Sequence, residues 1–392
     1  MKKITVQKFG GTSLQNEAAR LLAVSKVKIA LSNGLLPVVV VSALGRKGDP
    51  YSTDTLLEQA QKVHIKINPR ESDLLLSCGE IISAVIMAQM LVAEGLEAVA
   101  LTGFQAGLLT DEKFGAARIE SIDYRKIEDY LEQGKIPVIA GYQGISAGNE
   151  ITTLGRGGSD TTAAIIASAL QADSLEIYSD VDGLLTADPR IVQQAKFIRE
   201  ASYEEVVELA HKGAKIIHPA AVEIAQQANI PIYLKPTFSD AAGSKISKIR
   251  SMKPVTGVTS NSKIVFFQLE ELTHSAQLLT DIADEAISLD MIDISPQKLS
   301  FLVSQVYKVV IDEYLLRKGI KFVIREDLCK ISVVGTGMSG VPGVIARISA
   351  ALHNSEIEIY KSMDSHTAIS CLIKKTEEAL AVNLLHQEFR LE

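Results

Sequence analysis

Leu154-Gly155-Arg156-Gly157-Gly158-Ser159-Asp160-Thr161-Thr162 is a glycine-rich turn that opens into a small-residue run from Ala163 to Ala172. Glycines reach φ > 0 and let the backbone approach a ligand, and a following run of helical length leaves its first N–H groups free at the turn. Such a corner seats an anion. A plain strand-to-helix turn can use an N-cap Ser or Asp but has no need of an arginine among its glycines. Arg156 therefore reads as a fork for a carboxylate or phosphate, while Ser159 and Asp160 add a hydroxyl and a carboxylate at the helix start.

A second corner of this kind lies near the amino end. Ile4 to Phe9 alternates as a strand, and Lys8-Phe9-Gly10-Gly11-Thr12-Ser13 turns into a helix spanning about Glu17 to Leu31. A lysine ahead of two glycines sets a point charge beside exposed N–H groups, which suits phosphate oxygens during transfer; a surface lysine before a tight turn also fits. The GxxxxGKS/T spacing of a P-loop is absent. Leu36 to Val41 is a continuous apolar run of the kind buried on both faces of a parallel sheet, and it ends at Ser42, where open α/β sheets collect ligands. Arg46 to Asp54 reads as a polar loop, and Arg70 to Cys78 lead into a helix from about Gly79 to Ala93. Glu80 then falls in the first turn, an ordinary place for a dipole-friendly glutamate.

Strands at Ala98–Leu101, Ile136–Ala140, Ser174–Tyr178 and Ile230–Leu234 alternate with helices near Ile122–Gln133 and after Gly155. This rhythm predicts an α/β fold, a mainly parallel sheet with helices on both faces. Past the third of these strands, Ser179-Asp180-Val181-Asp182-Gly183 and Asp188-Pro189-Arg190 carry turn signals; Asp180, Asp182 and Asp188 could organise Mg²⁺ or hold lysines, and Arg190 could reach a nucleotide phosphate. Ser202 and Glu205 form a capping box. Lys215 is a further cation, and His218, just before Pro219, reads as a capping or packed histidine.

At 392 residues the chain exceeds one ordinary core, so two or three domains are expected. A net charge of −7 excludes a general nucleic-acid surface. Cys78, Cys329 and Cys371 have neither disulfide nor zinc spacing. The start of the chain lacks the pattern of a secretory leader and apolar stretches such as Pro37 to Val41 are far short of a membrane span, so the expectation is a cytoplasmic protein without membrane or nucleic-acid partners.

Together, Lys8 to Ser13, Gly155 to Asp160, Thr186-Ala187-Asp188-Pro189-Arg190 and Gly213-Ala214-Lys215 to His218-Pro219 resemble the aspartate kinases of the amino-acid kinase fold, in the family's order. The loop Gly45-Arg46-Lys47-Gly48-Asp49-Pro50 is similar to that of the short bacterial isozymes sensitive to diaminopimelate. The resemblance implies transfer of the ATP γ-phosphoryl to the β-carboxylate of L-aspartate with Mg²⁺, the first step toward lysine and diaminopimelate, threonine and methionine, under feedback control. It implies that Lys8, Asp160 and Lys215 are catalytic. Ser42, Glu80, Arg156 and Ser159 would hold aspartate, Glu80 taking the α-ammonium and Arg156 a carboxylate. Lys8, Gly10, Gly11, Ser179, Asp180, Arg190 and Lys215 would line the ATP site. Leu185 stands where many relatives have an aromatic residue. A glutamate-type amino-acid kinase or a non-catalytic amino-acid sensor are the alternatives.

The chain divides on this reading into a catalytic domain, residues 1–240, and two βαββαβ units, 257–324 and 326–392, that resemble paired ACT domains. Strand patterns at Val255–Thr259 and Ile264–Leu269 open the first unit. Gly335-Thr336-Gly337-Met338-Ser339-Gly340 fits a dinucleotide fingerprint, but only 57 residues follow Gly335, too few for that fold. The resemblance instead makes Met338, Ser339, Gly340, Val341, Pro342 and Gly343 an effector-binding turn, with Asp364 nearby. An amino-acid effector, diaminopimelate or lysine, and a homodimer through the ACT units are expected.

Overall fold

A computed structural model of the chain describes residues 3–214, 216–249, 254–269, 275–285, 287–295, 298–338 and 342–392. They form two compact units, the first made of 1–184, 197–210 and 215–250, the second of 185–196, 211–214 and 251–392.

The first unit begins β1 (Lys3–Phe9), α1 (Glu17–Ser32), β2 (Leu35–Val41), α2 (Thr53–Val63), α3 (Pro69–Ala93), β3 (Ala98–Leu101), β4 (Leu108–Thr110), β5 (Ile119–Ile122), α4 (Arg125–Glu132) and β6 (Ile136–Ala140). It continues with β7 (Gln143–Ser146), β8 (Ile151–Thr153), α5 (Gly158–Ala169), β9 (Ser174–Ser179), β10 (Leu184–Leu185), β11 (Phe197–Ile198), β12 (Glu200–Ser202), α6 (Tyr203–Lys212), α7 (Pro219–Ala228), β13 (Ile232–Pro236) and β14 (Ser244–Ser247). Eight strands make one sheet in the order β12-β14-β13-β9-β1-β2-β6-β3, parallel from β13 to β3. Its faces follow the two-residue period of a strand. Phe9, Val39, Val41, Val138 and Ala140 join Ala23, Val24 and Val27 of α1 and Ala84 and Met87 of α3 in one core cluster, whereas Lys8, one residue from Phe9, meets α5 on the other side. The α/β expectation is met.

Three features of this unit differ from the sequence reading. Helix α3 starts at Pro69, ten residues early, because Asn68 accepts a hydrogen bond from Arg70 N and Pro69 takes the first helical position. At that length α3 is, among the described residues, the one helix long and apolar enough to cross a membrane, yet half of its apolar window is buried in the protein. A separate sheet, β5-β4-β7-β8, was not apparent. It is pinned to α3 by Asp73, 1 % exposed, whose carboxylate accepts from Gly115 N (2.9 Å), Thr153 N (2.8 Å) and Thr153 Oγ1 (2.7 Å). Asp73→Ala strands three donors, the two of Thr153 buried, and is expected to cost about 3–5 kcal/mol, read as a lowered thermal midpoint; an unchanged midpoint contradicts the pinning role. The capping box is present as expected, Ser202 N donating to Glu205 Oε2 at 2.8 Å and Glu205 N to Ser202 Oγ at 3.2 Å.

The second unit holds β15 (Gly257–Asn261), β16 (Ile264–Leu269), α8 (Ser275–Asp284), β17 (Asp290–Ser295), β18 (Lys298–Ser304), α9 (Lys308–Arg317), β19 (Phe322–Arg325), β20 (Leu328–Val334), α10 (Val344–His353), β21 (Lys361–Asp364), β22 (Ala368–Lys374) and α11 (Glu378–Glu388). One antiparallel sheet runs β17-β18-β16-β19 and the other β15-β20-β22-β21. Strand β15, read as the opening of the first βαββαβ unit, pairs instead with β20, Gly257 facing Val334. Residues 264–325 are thus inserted between two strands of the second sheet. Strand β20 is buried throughout because Leu328 and Leu372 of its sheet meet Met291 and Leu302 of the other, where Lys330 pairs with Asp290. The strand expected at Glu356–Lys361 forms later, at Lys361–Asp364, since Glu356 takes φ 60° in the turn after α10.

Residues 185–196 also belong to this unit. Ala187 and Val192 lie in the core beneath the second sheet, Asn383 Nδ2 donates to Ile191 O at 3.0 Å, and Thr186 Oγ1 lies 2.9 Å from His386 Nε2. Gly335 closes β20 with its N–H on Thr367 O, and a Cβ there would meet Pro254 O at 2.2 Å. Gly335, the first glycine of the GxGxxG string, is thus a packing residue at the end of a βαββαβ strand.

Candidate active site

The carboxyl ends of β9, β1, β2 and β6 are tied level by backbone hydrogen bonds: Gly10 N to Tyr178 O (3.2 Å), Ser42 N to Phe9 O (3.1 Å) and Gly141 N to Val41 O (3.0 Å). Ser179, Gly10, Ser42 and Gly141 therefore share one edge. Ligands of parallel sheets bind at such an edge. Gly11 docks on the loop after β2, where an added Cβ would lie 2.4 Å from Gly45 O.

Helix α5 delivers the other corner to the same place. Gly157, at φ 71°, precedes its first turn, and an added Cβ would strike the His218 ring at 2.3 Å. Asp160, 8 % exposed, projects from that turn to Lys8 Nζ, its Oδ1 at 2.6 Å, and Lys8 is itself 9 % exposed. Its Oδ2 accepts from His218 N at 3.3 Å. His218 is thus the packed residue at the start of α7 that its sequence position indicates. One residue before Asp160, Ser159 Oγ lies 2.8 Å from Ser42 Oγ.

Glu80 completes the cluster. The early start of α3 puts it mid-helix and 3 % exposed, so the dipole-starter reading does not apply. Oε1 accepts from Ala43 N at 3.0 Å, while Oε2 is buried with no hydrogen-bond partner among the described residues. Burial pushes its pKa up to about 8 against the pull of the Ala43 N–H. A buried acceptor left open next to Ser42 is suited to a cationic ligand group.

The remaining predicted residues fall in several places. Ser179 ends β9, and Asp180 after it pairs with Arg46 at 2.6 Å. Arg156 is exposed between Gly155 and Gly157. Asp188 and Arg190 belong to the second unit, where they form a forked pair that holds the Asp188 carboxyl below its usual range. Leu185 begins that segment. Lys215, Ser339, Gly340 and Val341 lie outside the described residues. Met338 is buried, Pro342 and Gly343 lead into α10, and Asp364 is exposed at the end of β21. The sequence reading contains no Asp73 clamp and gives Arg46 no role beyond its loop; a buried aspartate inside a long apolar helix is the signal for the first.

Two anion corners joined by a buried lysine–aspartate pair define an amino acid kinase, and the amino acid kinase family model matches residues 3–236, with an ACT domain model on 323–387. The chain is 40% identical over 401 residues to aspartokinase 1 of Bacillus subtilis (strain 168), covering 99% of each. The crystal structure of E. coli aspartokinase III with aspartate and ADP has the same fold, with a TM-score of 0.84 at 23% identity over 98% of this chain and 99% of that one. The lysine- and aspartate-bound T-state of that enzyme gives a TM-score of 0.75 at 23% identity, with the same coverage. The chain belongs to the aspartokinases, within the amino acid kinase family.

Proposed function

We infer that this chain transfers the γ-phosphoryl group of ATP to the β-carboxylate of L-aspartate, giving 4-phospho-L-aspartate, under feedback through its ACT region. The observation that carries the reading is the Lys8–Asp160 pair, which joins the two glycine corners at one sheet edge. A carboxylate oxygen of aspartate forms the new bond to phosphorus as the bond to the β,γ-bridging oxygen breaks, and that electron pair leaves with ADP. Aspartate is already ionised at neutral pH, so no base is needed and catalysis reduces to alignment and charge neutralisation.

Lys8, with the Gly10 and Gly11 N–H groups, meets the transferred phosphoryl oxygens, and Asp160 orients Lys8. Glu80 takes the substrate ammonium on its open Oε2, Arg156 a carboxylate, and Ser42 and Ser159 fix the acceptor between them. Ser179, Asp180, Arg190 and Lys215 serve the nucleotide, and Lys215 adds a second catalytic cation. Mg²⁺ enters with ATP and supplies charge neutralisation; such ions are held by substrate phosphates and one or two carboxylates. That fits a site where, among the described residues, no three His, Cys, Asp or Glu side chains converge as a metal cage. Residence in the cytoplasm, a homodimer through the ACT units and an effector of the diaminopimelate or lysine type belong to the same proposal.

Hydroxylamine trapping with ATP and Mg²⁺ tests it. Aspartate is expected to give hydroxamate while glutamate and acetylglutamate do not. ATP turnover on glutamate alone would replace this reading with a glutamate-type kinase, and binding without turnover would replace it with a sensor.

A further inference from the structure

Beside the site residues discussed so far, one cation stands over the first glycine corner. In the sheet order β9-β1-β2, the loop after β2 and the turn after β9 flank the end of β1. Strand spacing puts those two ends about 10 Å apart. Arg46, in the first loop, closes that distance: its Nη2 lies 2.6 Å from Asp180 Oδ2 in the second, so the bridge spans the Gly10–Gly11 turn.

The base of Arg46 is fixed while its head is exposed. Gly45 N donates to Gly11 O at 2.9 Å, which docks the loop on the corner itself. Arg46 N donates to Asp49 Oδ2 at 2.7 Å, the same oxygen that accepts from Gln15 Nε2 at 3.0 Å, and Asp49 N returns to Arg46 O at 2.8 Å. The next residue, Lys47, pairs with Glu58 instead. The Arg46 side chain is 65% exposed and Asp180 42%, and an exposed pair of this kind adds little to stability and exchanges partners readily.

Charge gives the direction of exchange. Lys8 is neutralised in part by Asp160, so the first corner carries little net positive charge for a polyphosphate. A nucleoside triphosphate brought to the corner repels the Asp180 carboxylate and offers the guanidinium oxygens that match its planar fork. We propose that Arg46 is a further catalytic residue, which leaves Asp180 for the terminal phosphates of the bound nucleotide and neutralises charge as the γ-phosphoryl passes to the carboxylate. The pair with Asp180 is its resting position. This rests on the kinase reading above and adds a phosphate contact from the loop between β2 and α2.

The test is steady-state kinetics and nucleotide binding on the full-length chain, for the unmodified protein, Arg46→Ala and Arg46→Lys. Arg46→Ala is expected to lower kcat/KM for ATP by about 100-fold or more, as loss of a phosphate-directed donor does. The thermal midpoint and the KM for aspartate should stay unchanged, and Arg46→Lys should recover part of the loss. Calorimetric titration with ATP should show the same order of affinities. A structural bridge makes the opposite prediction: kcat/KM for ATP within about threefold in Arg46→Ala, with any loss matched by a lower thermal midpoint, and either result overturns the proposal. If the unmodified protein binds ATP but phosphorylates no aspartate, the kinase reading fails alone, and the ATP titration of Arg46→Ala still decides the role of Arg46.

Discussion

Replacing Lys8 with alanine is expected to lower kcat about 1000-fold, because its ammonium works on charge that develops only during transfer. The same change leaves Asp160 buried and unpaired, which costs about 3 kcal/mol or more. These two effects separate in a double variant. Lys8→Met with Asp160→Asn removes both charges and is expected to regain most of the thermal midpoint without regaining turnover. Recovery of kcat together with stability would mean that the pair only holds β1 against α5.

Glu80→Gln is expected to raise KM for aspartate about 10–100-fold, the range for losing a hydrogen bond to a charged group, with a smaller change in kcat. A sharper signature comes from protonation. With its pKa pushed up to about 8 by burial, Glu80 is largely neutral at pH 7, and an arriving ammonium favours the carboxylate. Aspartate binding should then release close to one proton, measured by calorimetry in buffers of different ionisation enthalpy, and Glu80→Gln should release none. Stability carries the same mark. Between 4.5, the ordinary value for a glutamate, and about 8, the native state keeps a proton that the unfolded chain has lost. The contribution of Glu80, full below that window, falls by about 1.4 kcal/mol per pH unit as pH rises through it. Glu80→Gln should flatten that slope; a variant with the parent pH profile and the parent KM contradicts both roles.

Glycine corners and buried parallel strands were legible because their chemistry is local. Gly155 to Asp160 and Lys8 to Gly11 each announce an anion corner by spacing alone, and β2 announces its burial by an unbroken apolar run. Their meeting is a tertiary fact: Lys8 and Asp160 are brought together by β1 pairing with β9 and by α5 crossing beside it. The place of Glu80 in its helix differs because Gly79 reads as a helix start, whereas the Asn68-Pro69 cap sets the start earlier. Strand β15 was misassigned for a related reason, since adjacency in sequence favours pairing with β16, whereas its partner β20 lies some seventy residues on. The segment 185–196 lies in sequence within the stretch read as the catalytic domain, but its apolar residues Ala187 and Val192 find their core against α11. Arg46 could not be singled out in a loop that also holds Lys47; only the docked backbone shows which cation faces the corner.

A crystal structure of the full-length chain with aspartate and a non-hydrolysable ATP analogue tests the central claim most directly. The expected result is a γ-phosphate over the Gly10 and Gly11 N–H groups within hydrogen-bonding distance of Lys8 Nζ, and an aspartate ammonium on Glu80 Oε2. A triphosphate seated away from that sheet edge, with Lys8 still closed on Asp160 and Glu80 Oε2 still empty, contradicts it.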